Sequence, residues 1–233
     1  MLSDPQIERY SRQIILPQVG GRGQKRLLQA SVLVSGESSL QAGALLYLAA
    51  AGVGRLGIDG IKELSTVAAL SPEPPASAAT ALPRLNPDCE IVVHDHRAFR
   101  DDADVESLVR QYDLVIAGPN AQLHAACYSA RRPFVCGQVS PTIGWLAVYR
   151  GYEENLPCLF CETRPPSEAT PNGGVDKFMG PFIGTVLATE AIKVILGLHP
   201  PSPTKLLQCS SPALSFHERV LSKNPTCATC GWQ

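Results

Sequence analysis

A chain of 233 residues with 45% hydrophobic and 18% charged residues has the length and apolar content for one ordinary domain with a sizeable core, and it is not disordered. Twenty Lys and Arg balance 21 Asp and Glu, for a formal charge of -1, which gives no electrostatic footprint for nucleic acid or an anionic membrane. The longest apolar stretch read from the sequence, Ala42 to Gly54, is too short to cross a bilayer, and Met1-Leu2-Ser3-Asp4-Pro5 has the pattern of neither a secretory nor a transit leader. The expectation is a soluble, cytoplasmic, globular protein.

In chain order, Ile7 to Leu16 reads as a short helix, broken by Gly20-Gly21-Arg22-Gly23, with a second short helix over Gln24 to Gln29. Ser31-Val32-Leu33-Val34-Ser35 is short, β-branched and continuously apolar, the pattern of a buried parallel strand. It runs through Gly36 into an Ala/Leu-rich helix, Leu40 to Ala51, and then a strand at Leu56 to Asp59. Strand, turn, helix and strand in that order open a doubly wound sheet. Leu64 to Ala81 is Ala, Ser and Pro, and Pro72, Pro74 and Pro75 exclude a continuous helix there. Further strands are expected at Glu90–His94, Asp113–Ala117, Pro133–Cys136 and Gly144–Tyr149. Helices are expected at Asp101–Gln111 and from Phe182 to Gly197, after a Gly/Pro-rich crossover over Thr163 to Gly174. The fold class is α/β: a Rossmann-like, mostly parallel sheet with flanking helices and a zinc-clipped C-terminal portion. The chain reads as a single domain over 1–233, with N-terminal helices (1–30), a nucleotide-binding-type α/β half (31–137) and a second half (138–233).

The clip comes from the cysteines. Of eight, four form two tight pairs, Cys158-Leu159-Phe160-Cys161 and Cys227-Ala228-Thr229-Cys230, while Cys89, Cys127, Cys136 and Cys209 are scattered. A two-residue spacer lets one turn present both sulfurs to one ion, and four thiolates suit tetrahedral Zn²⁺. With all four positions Cys there is no open coordination site, so the metal is expected to be structural. The five histidines, His94, His96, His124, His199 and His217, have no ligand spacing with one another and read as ordinary surface or edge residues.

Several segments come in an order that resembles one family. They are Arg9-Tyr10-Ser11-Arg12-Gln13, the strand–turn–helix at 31–48, Ala51-Gly52-Val53-Gly54 and Arg84-Leu85-Asn86-Pro87. Pro133-Phe134-Val135-Cys136-Gly137, Glu190-Ala191-Ile192-Lys193 and the two Cys pairs complete the series. Together they resemble the ThiF/MoeB/HesA family, relatives of the ubiquitin-activating enzymes, and the resemblance covers nearly the whole chain. It implies a homodimer with a Rossmann-like nucleotide fold. It also implies binding of ATP-Mg²⁺, adenylation of the C-terminal Gly-Gly of a ubiquitin-like sulfur-carrier protein, and a structural zinc apart from that chemistry.

The same resemblance exposes departures. Where the family writes Gly-x-Gly-Gly-Leu-Gly to bring backbone N–H groups to phosphates, this chain has Gly36-Glu37-Ser38-Ser39-Leu40-Gln41. Asp59 stands nearest to the family's ribose-holding acid, the phosphate lysine falls on Pro74, and the magnesium carboxylate falls within Ala117-Gly118-Pro119-Asn120. Thr170 takes the place of a sulfur-transfer cysteine, while Arg12, which in the family reaches across the dimer to the nucleotide, is kept. The candidate ligand-site residues are therefore Gly36, Glu37, Ser38, Ser39, Asp59 and Arg12. The candidate metal ligands are Cys158, Cys161, Cys227 and Cys230, and no catalytic residue is assigned. The leading expectation is a pseudoenzyme: an activating-enzyme scaffold with its adenylation site lost, binding a sulfur carrier or pairing with an active paralogue. One alternative is a repurposed enzyme using an adenosine-containing cofactor such as S-adenosylmethionine for group transfer. The other is an ATP-dependent adenylyltransferase of a ubiquitin-like sulfur carrier.

Overall fold

In the computed structural model the described residues are 1–36, 39–60, 77–95, 101–140, 142–161, 176–198, 204–210 and 215–231, without the side chains of 176–178. Helix α1 (Asp4–Ile14) starts where Ser3 and Gln6 cap each other reciprocally and Pro5 occupies the first turn. Helix α2 spans Gly20–Gln29, so the glycines expected to break the chain form its first turn instead. Gly20 enters it at φ +57°, a conformation that favours glycine, and a Cβ on Gly23 would crowd Leu196 at 3.1 Å.

Strand β1 (Ser31–Ser35), α3 (Ser39–Ala51) and β2 (Arg55–Asp59) follow as expected. Helix α4 (Ala78–Leu85), not read from the sequence, begins after the three prolines, and Pro83 lies inside it. Then come β3 (Glu90–His94), α5 (Asp102–Arg110), β4 (Leu114–Ala117) and α6 (Ala121–Ser129), the last unanticipated. Strands β5 (Phe134–Val139) and β6 (Ile143–Tyr149) precede the long α7 (Asp176–Leu196). Two further strands, β7 (Lys205–Ser210) and β8 (Ser215–Val220), were not read from the sequence. The expected crossover at 163–174 lies outside the described residues.

The described strands form one sheet in the order β3-β2-β1-β4-β5-β6-β7-β8. Pairing is parallel from β3 through β5 and antiparallel from β5 through β8. Both faces of the parallel part are covered, as parallel sheets require. Val32 and Val34 join Leu56, Leu114 and Ile116 under α3, α4 and α7, whereas Leu33 and Val115 face α5 and α6 on the other side. Helices α3 and α7 pack back to back: a Cβ on Gly184 would lie 2.1 Å from the Leu40 carbonyl oxygen.

Helix α7 also holds an apolar segment: Met179–Leu196, interrupted by Glu190 and Lys193, has the length and mean hydropathy (1.5 over 18 residues) of a membrane span. Ile183, Leu187, Ala188 and Ala191 are nevertheless buried in the protein core, so the hydropathy of α7 is that of a central core helix. The scattered cysteines Cys89, Cys127, Cys136 and Cys209 are all unpaired and buried, as free thiols among apolar neighbours should be.

Candidate functional site

Strand order places a topological switch point between β1 and β4, because the chain leaves β1 toward β2 on one side and returns to β4 on the other. In such sheets ligands bind in the crevice beyond the carboxyl ends of these strands. Ser35 ends β1 there, flanked in register by Asp59 of β2 and Ala117 of β4. Gly36 leaves the strand at φ +126°, a conformation L side chains rarely adopt, and its N–H donates to the Asp59 carbonyl at 3.0 Å. A Cβ on Gly36 would sit 2.5 Å from Nε2 of Gln41, which itself donates to the Ser35 carbonyl at 3.2 Å.

Asp59 is buried, with only 7% of its surface exposed. Its Oδ2 accepts from the Ser35 hydroxyl at 2.7 Å, but its Oδ1, also buried, has no hydrogen-bond partner among the described residues. A buried carboxylate oxygen without a donor costs free energy unless a ligand supplies one. One strand further, His94 lies in register with Asp59, and its Nε2 meets the Tyr112 hydroxyl at 2.6 Å. Burial holds the His94 pKa below its ordinary value despite the opposing effect of the Asp59 charge. On the β4 side Gly118 is open: the nearest atom to a Cβ there is the Gly137 carbonyl oxygen at 3.8 Å. Asn120 N-caps α6, its Oδ1 accepting from the Leu123 N–H at 2.9 Å.

Of the residues picked from the sequence, Gly36 and Asp59 meet at this crevice and Ser39 opens α3 beside it, where a Cβ on Gly180 would lie 1.9 Å from the Ser39 hydroxyl. Glu37 and Ser38 lie outside the described residues, as do Pro74 and Thr170. Arg12 is exposed in the last turn of α1 and forms no ion pair among the described residues. Its neighbours instead brace the Asn86 segment: Arg9 pairs with Asp88 at 3.3 Å, and the Tyr10 hydroxyl contacts Asn86 and Asp88. Burial, first of all, raises the Tyr10 pKa to about 12. Sequence reasoning missed Ser35 and Gln41. A hydroxyl ending an apolar strand and an amide in an Ala/Leu helix were the available signals.

The four paired cysteines converge. Their sulfurs all lie within 4.8 Å of one another, with Cys158–Cys227 at 3.6 Å, Cys158–Cys161 at 4.0 Å and Cys161–Cys230 at 3.2 Å. These separations are far beyond a disulfide bond and bracket the roughly 3.8 Å edge of a tetrahedron with metal–sulfur bonds near 2.3 Å. Cys161 N–H closes the first turn onto the Cys158 carbonyl, and Gly231 N–H closes the second onto that of Cys227. The cluster can hold a metal ion. Beside it, His124 is buried, which corrects its assignment to the surface or an edge; burial pushes its pKa down to about 4. His94 is half-buried and His217 exposed, while His96 and His199 lie outside the described residues.

A sequence model of the ThiF family matches residues 75–229. The chain belongs to the ThiF family. It is 33% identical to the molybdopterin-synthase adenylyltransferase of Escherichia coli K12, covering 99% of this chain and 98% of that relative. It is 36% identical to the adenylyltransferase and sulfurtransferase MOCS3 of Drosophila ananassae over 100% of this chain and 55% of the relative, so it spans about half the length of the MOCS3 proteins it matches. In fold it resembles E. coli MccB crystallised with ATP (TM-score 0.76, 18% identity, 95% of this chain and 74% of MccB). It also resembles PaaA (TM-score 0.74, 20% identity, 96% and 76%).

These findings overturn the pseudoenzyme reading. Relatives matched over almost their whole length, the molybdopterin-synthase adenylyltransferases of E. coli and Salmonella typhimurium, are named adenylyltransferases, as is MOCS3 over about half of its length, and that agrees with the adenylyltransferase alternative. The physical reason is that the letters at 36–41 were weighed as side chains, whereas a turn of this kind approaches phosphate through its backbone, and Gly36 keeps that turn at φ +126°. Asp59, kept among the candidates as the nearest match to the ribose-holding acid, stands at the end of β2 with an unsatisfied oxygen.

Proposed function

We propose that this chain is an ATP-dependent adenylyltransferase acting on the C-terminal carboxylate of a ubiquitin-like sulfur-carrier protein. The observation that carries the reading is the end-to-end identity with the E. coli molybdopterin-synthase adenylyltransferase; the crevice supports it. In the reaction a carboxylate oxygen of the carrier bonds to the α-phosphorus of ATP, the α–β P–O bond breaks, and pyrophosphate leaves with that electron pair. Asp59 accepts a hydrogen bond from a ribose hydroxyl on its free Oδ1, while Ser35 fixes its other oxygen. Gly36 and Gly118, both without side chains, let the nucleotide approach the backbone.

Magnesium, which the family implies, does not fit the described end of β4. Ala117 and Gly118 carry no ligand, and the Asn120 oxygen already caps α6. Zinc is the ion we assign to the tetracysteine cluster, as a structural clip with no open coordination position. We further propose that the chain acts as one unit and as a homodimer. Ile15 (77% exposed), Leu16 and Ile7 on or beside α1 support this, an apolar edge that a second copy would cover next to Arg12. Eight cysteines, none in a disulfide, favour a reducing, cytoplasmic setting.

The test is to incubate the protein with ATP and a sulfur carrier ending in Gly-Gly and to examine the carrier by mass spectrometry. An AMP adduct, absent when the carrier's last glycine is deleted, is the expected result. An unmodified carrier with ATP intact would contradict the reading.

A further inference from the structure

The turn that carries the first cysteine pair is held from an unexpected direction. Leu159, between Cys158 and Cys161, donates its backbone N–H to Nε2 of His124 at 3.1 Å. His124 comes from α6, the helix whose N-cap Asn120 closes the end of β4, and it is only 2% exposed. Its ring is met edge-on by Phe160 (4.9 Å between centroids), Phe134 (5.5 Å) and Tyr149 (6.2 Å).

An imidazole is an expensive choice for this pocket. A neutral ring that accepts on Nε2 carries its proton on Nδ1, and Nδ1 has no hydrogen-bond partner among the described residues. Phenylalanine would fill an aromatic-lined space without bringing an unsatisfied ring N–H of its own. What histidine adds is one acceptor aimed at an amide inside the Cys-x-x-Cys turn. The neighbouring groups of that turn are already committed: Cys161 N–H to the Cys158 carbonyl, and the Cys161 sulfur to the Asn224 N–H at 3.3 Å. Without His124, the half-buried Leu159 amide would lose its acceptor or rotate to find another. Rotation would turn the peptide joined to Cys158 and swing its sulfur.

We propose that His124 is a positioning residue for the tetracysteine metal site, its Nε2 fixing the Leu159 amide and with it the direction in which the Cys158–Cys161 turn presents its sulfurs. The proposal rests on the metal reading above and concerns an outer partner of the ligands, of the kind that tunes metal affinity by tenfold or more.

The experiment compares full-length wild type, His124→Phe and His124→Gln, each assayed for bound zinc and then for zinc release to a chromogenic chelator. Phe keeps the ring packing without the acceptor, and Gln restores an acceptor near Nε2. The expected result is stoichiometric zinc in the wild type, release at least about tenfold faster from His124→Phe, and release within about threefold of wild type from His124→Gln. Equal release from wild type and His124→Phe overturns the proposal, as does equal loss in both variants, which would assign the effect to packing. Wild type without metal removes the metal reading itself. Should His124→Phe fail to fold, amide exchange on wild-type protein decides: the Leu159 N–H should be strongly protected, and exchange at the rate of an open amide would overturn the proposal.

Discussion

The crevice at the ends of β1, β2 and β4 and the tetracysteine knuckle are built on opposite principles. The knuckle is a closed set: four cysteine sulfurs within 4.8 Å, each turn pinned by its own backbone hydrogen bonds, with a buried histidine accepting from an amide of one of them. The crevice is an open set in which a φ +126° glycine, a half-satisfied Asp59 and an uncrowded Gly118 leave space and an unmet acceptor. A structural site is recognised by completeness, a ligand site by what remains unsatisfied. The first kind survives substitution poorly but reads clearly. The second tolerates changes of side chain wherever backbone geometry does the binding.

That contrast can be broken by experiment. The largest effect should follow Cys161→Ser combined with Cys230→Ser: metal is lost and the melting temperature drops by more than about 10 °C, read by differential scanning fluorimetry with metal analysis. An unchanged melting temperature would mean the knuckle clips nothing. Next, Gly184→Ala drives a Cβ to 2.1 Å from the Leu40 carbonyl and should destabilise by about 3 kcal/mol in urea titration, since α3 cannot keep its seat on α7. Asp59→Ala should act on the crevice alone. We expect a ten- to hundredfold rise in the KM for ATP, equivalent to about 1.4–2.7 kcal/mol, with zinc content unchanged. A loss of zinc in that variant would show that the two regions are not separate. The smallest effect is expected from Tyr10→Phe, about 1 kcal/mol of stability and no change in KM, because its hydroxyl braces Asn86 and Asp88 and not the crevice.

How much of this was legible depended on whether a feature is written locally. The parallel strands were, because Ser31–Ser35, Glu90–His94 and Leu114–Ala117 are short β-type runs between turns. The knuckles were as well, since Cys-x-x-Cys spacing states its chemistry without help from the fold. Helix α4 was hidden by the prolines before it, and α6 by a mixed sequence, Ala121–Ser129, with little amphipathic contrast. Strand β8 escaped because its register with β7 alone makes it a strand; five of its six side chains are exposed. His124 offered no signal at all: its partner lies 35 residues on and is a backbone amide.

The crevice was misjudged for a related reason. Motif letters at 36–41 were weighed as side chains, whereas the Gly36 turn and the orphaned Asp59 oxygen are properties of backbone path and burial. Loss of glycines from a phosphate turn weakens an inference from pattern. It does not remove the topological switch point that the strand order builds.

The central claim is adenylation, and carrier-dependent ATP–pyrophosphate exchange tests it most directly because it reads formation and reversal of the acyl-adenylate without needing the sulfur-transfer step. The protein, loaded with zinc and given ATP, Mg²⁺, labelled pyrophosphate and a Gly-Gly-ending sulfur carrier, should return label to ATP. Exchange should fall at least tenfold in Asp59→Ala and vanish without the carrier. No exchange above background from wild type, with the carrier competent toward another activating enzyme, would contradict the account.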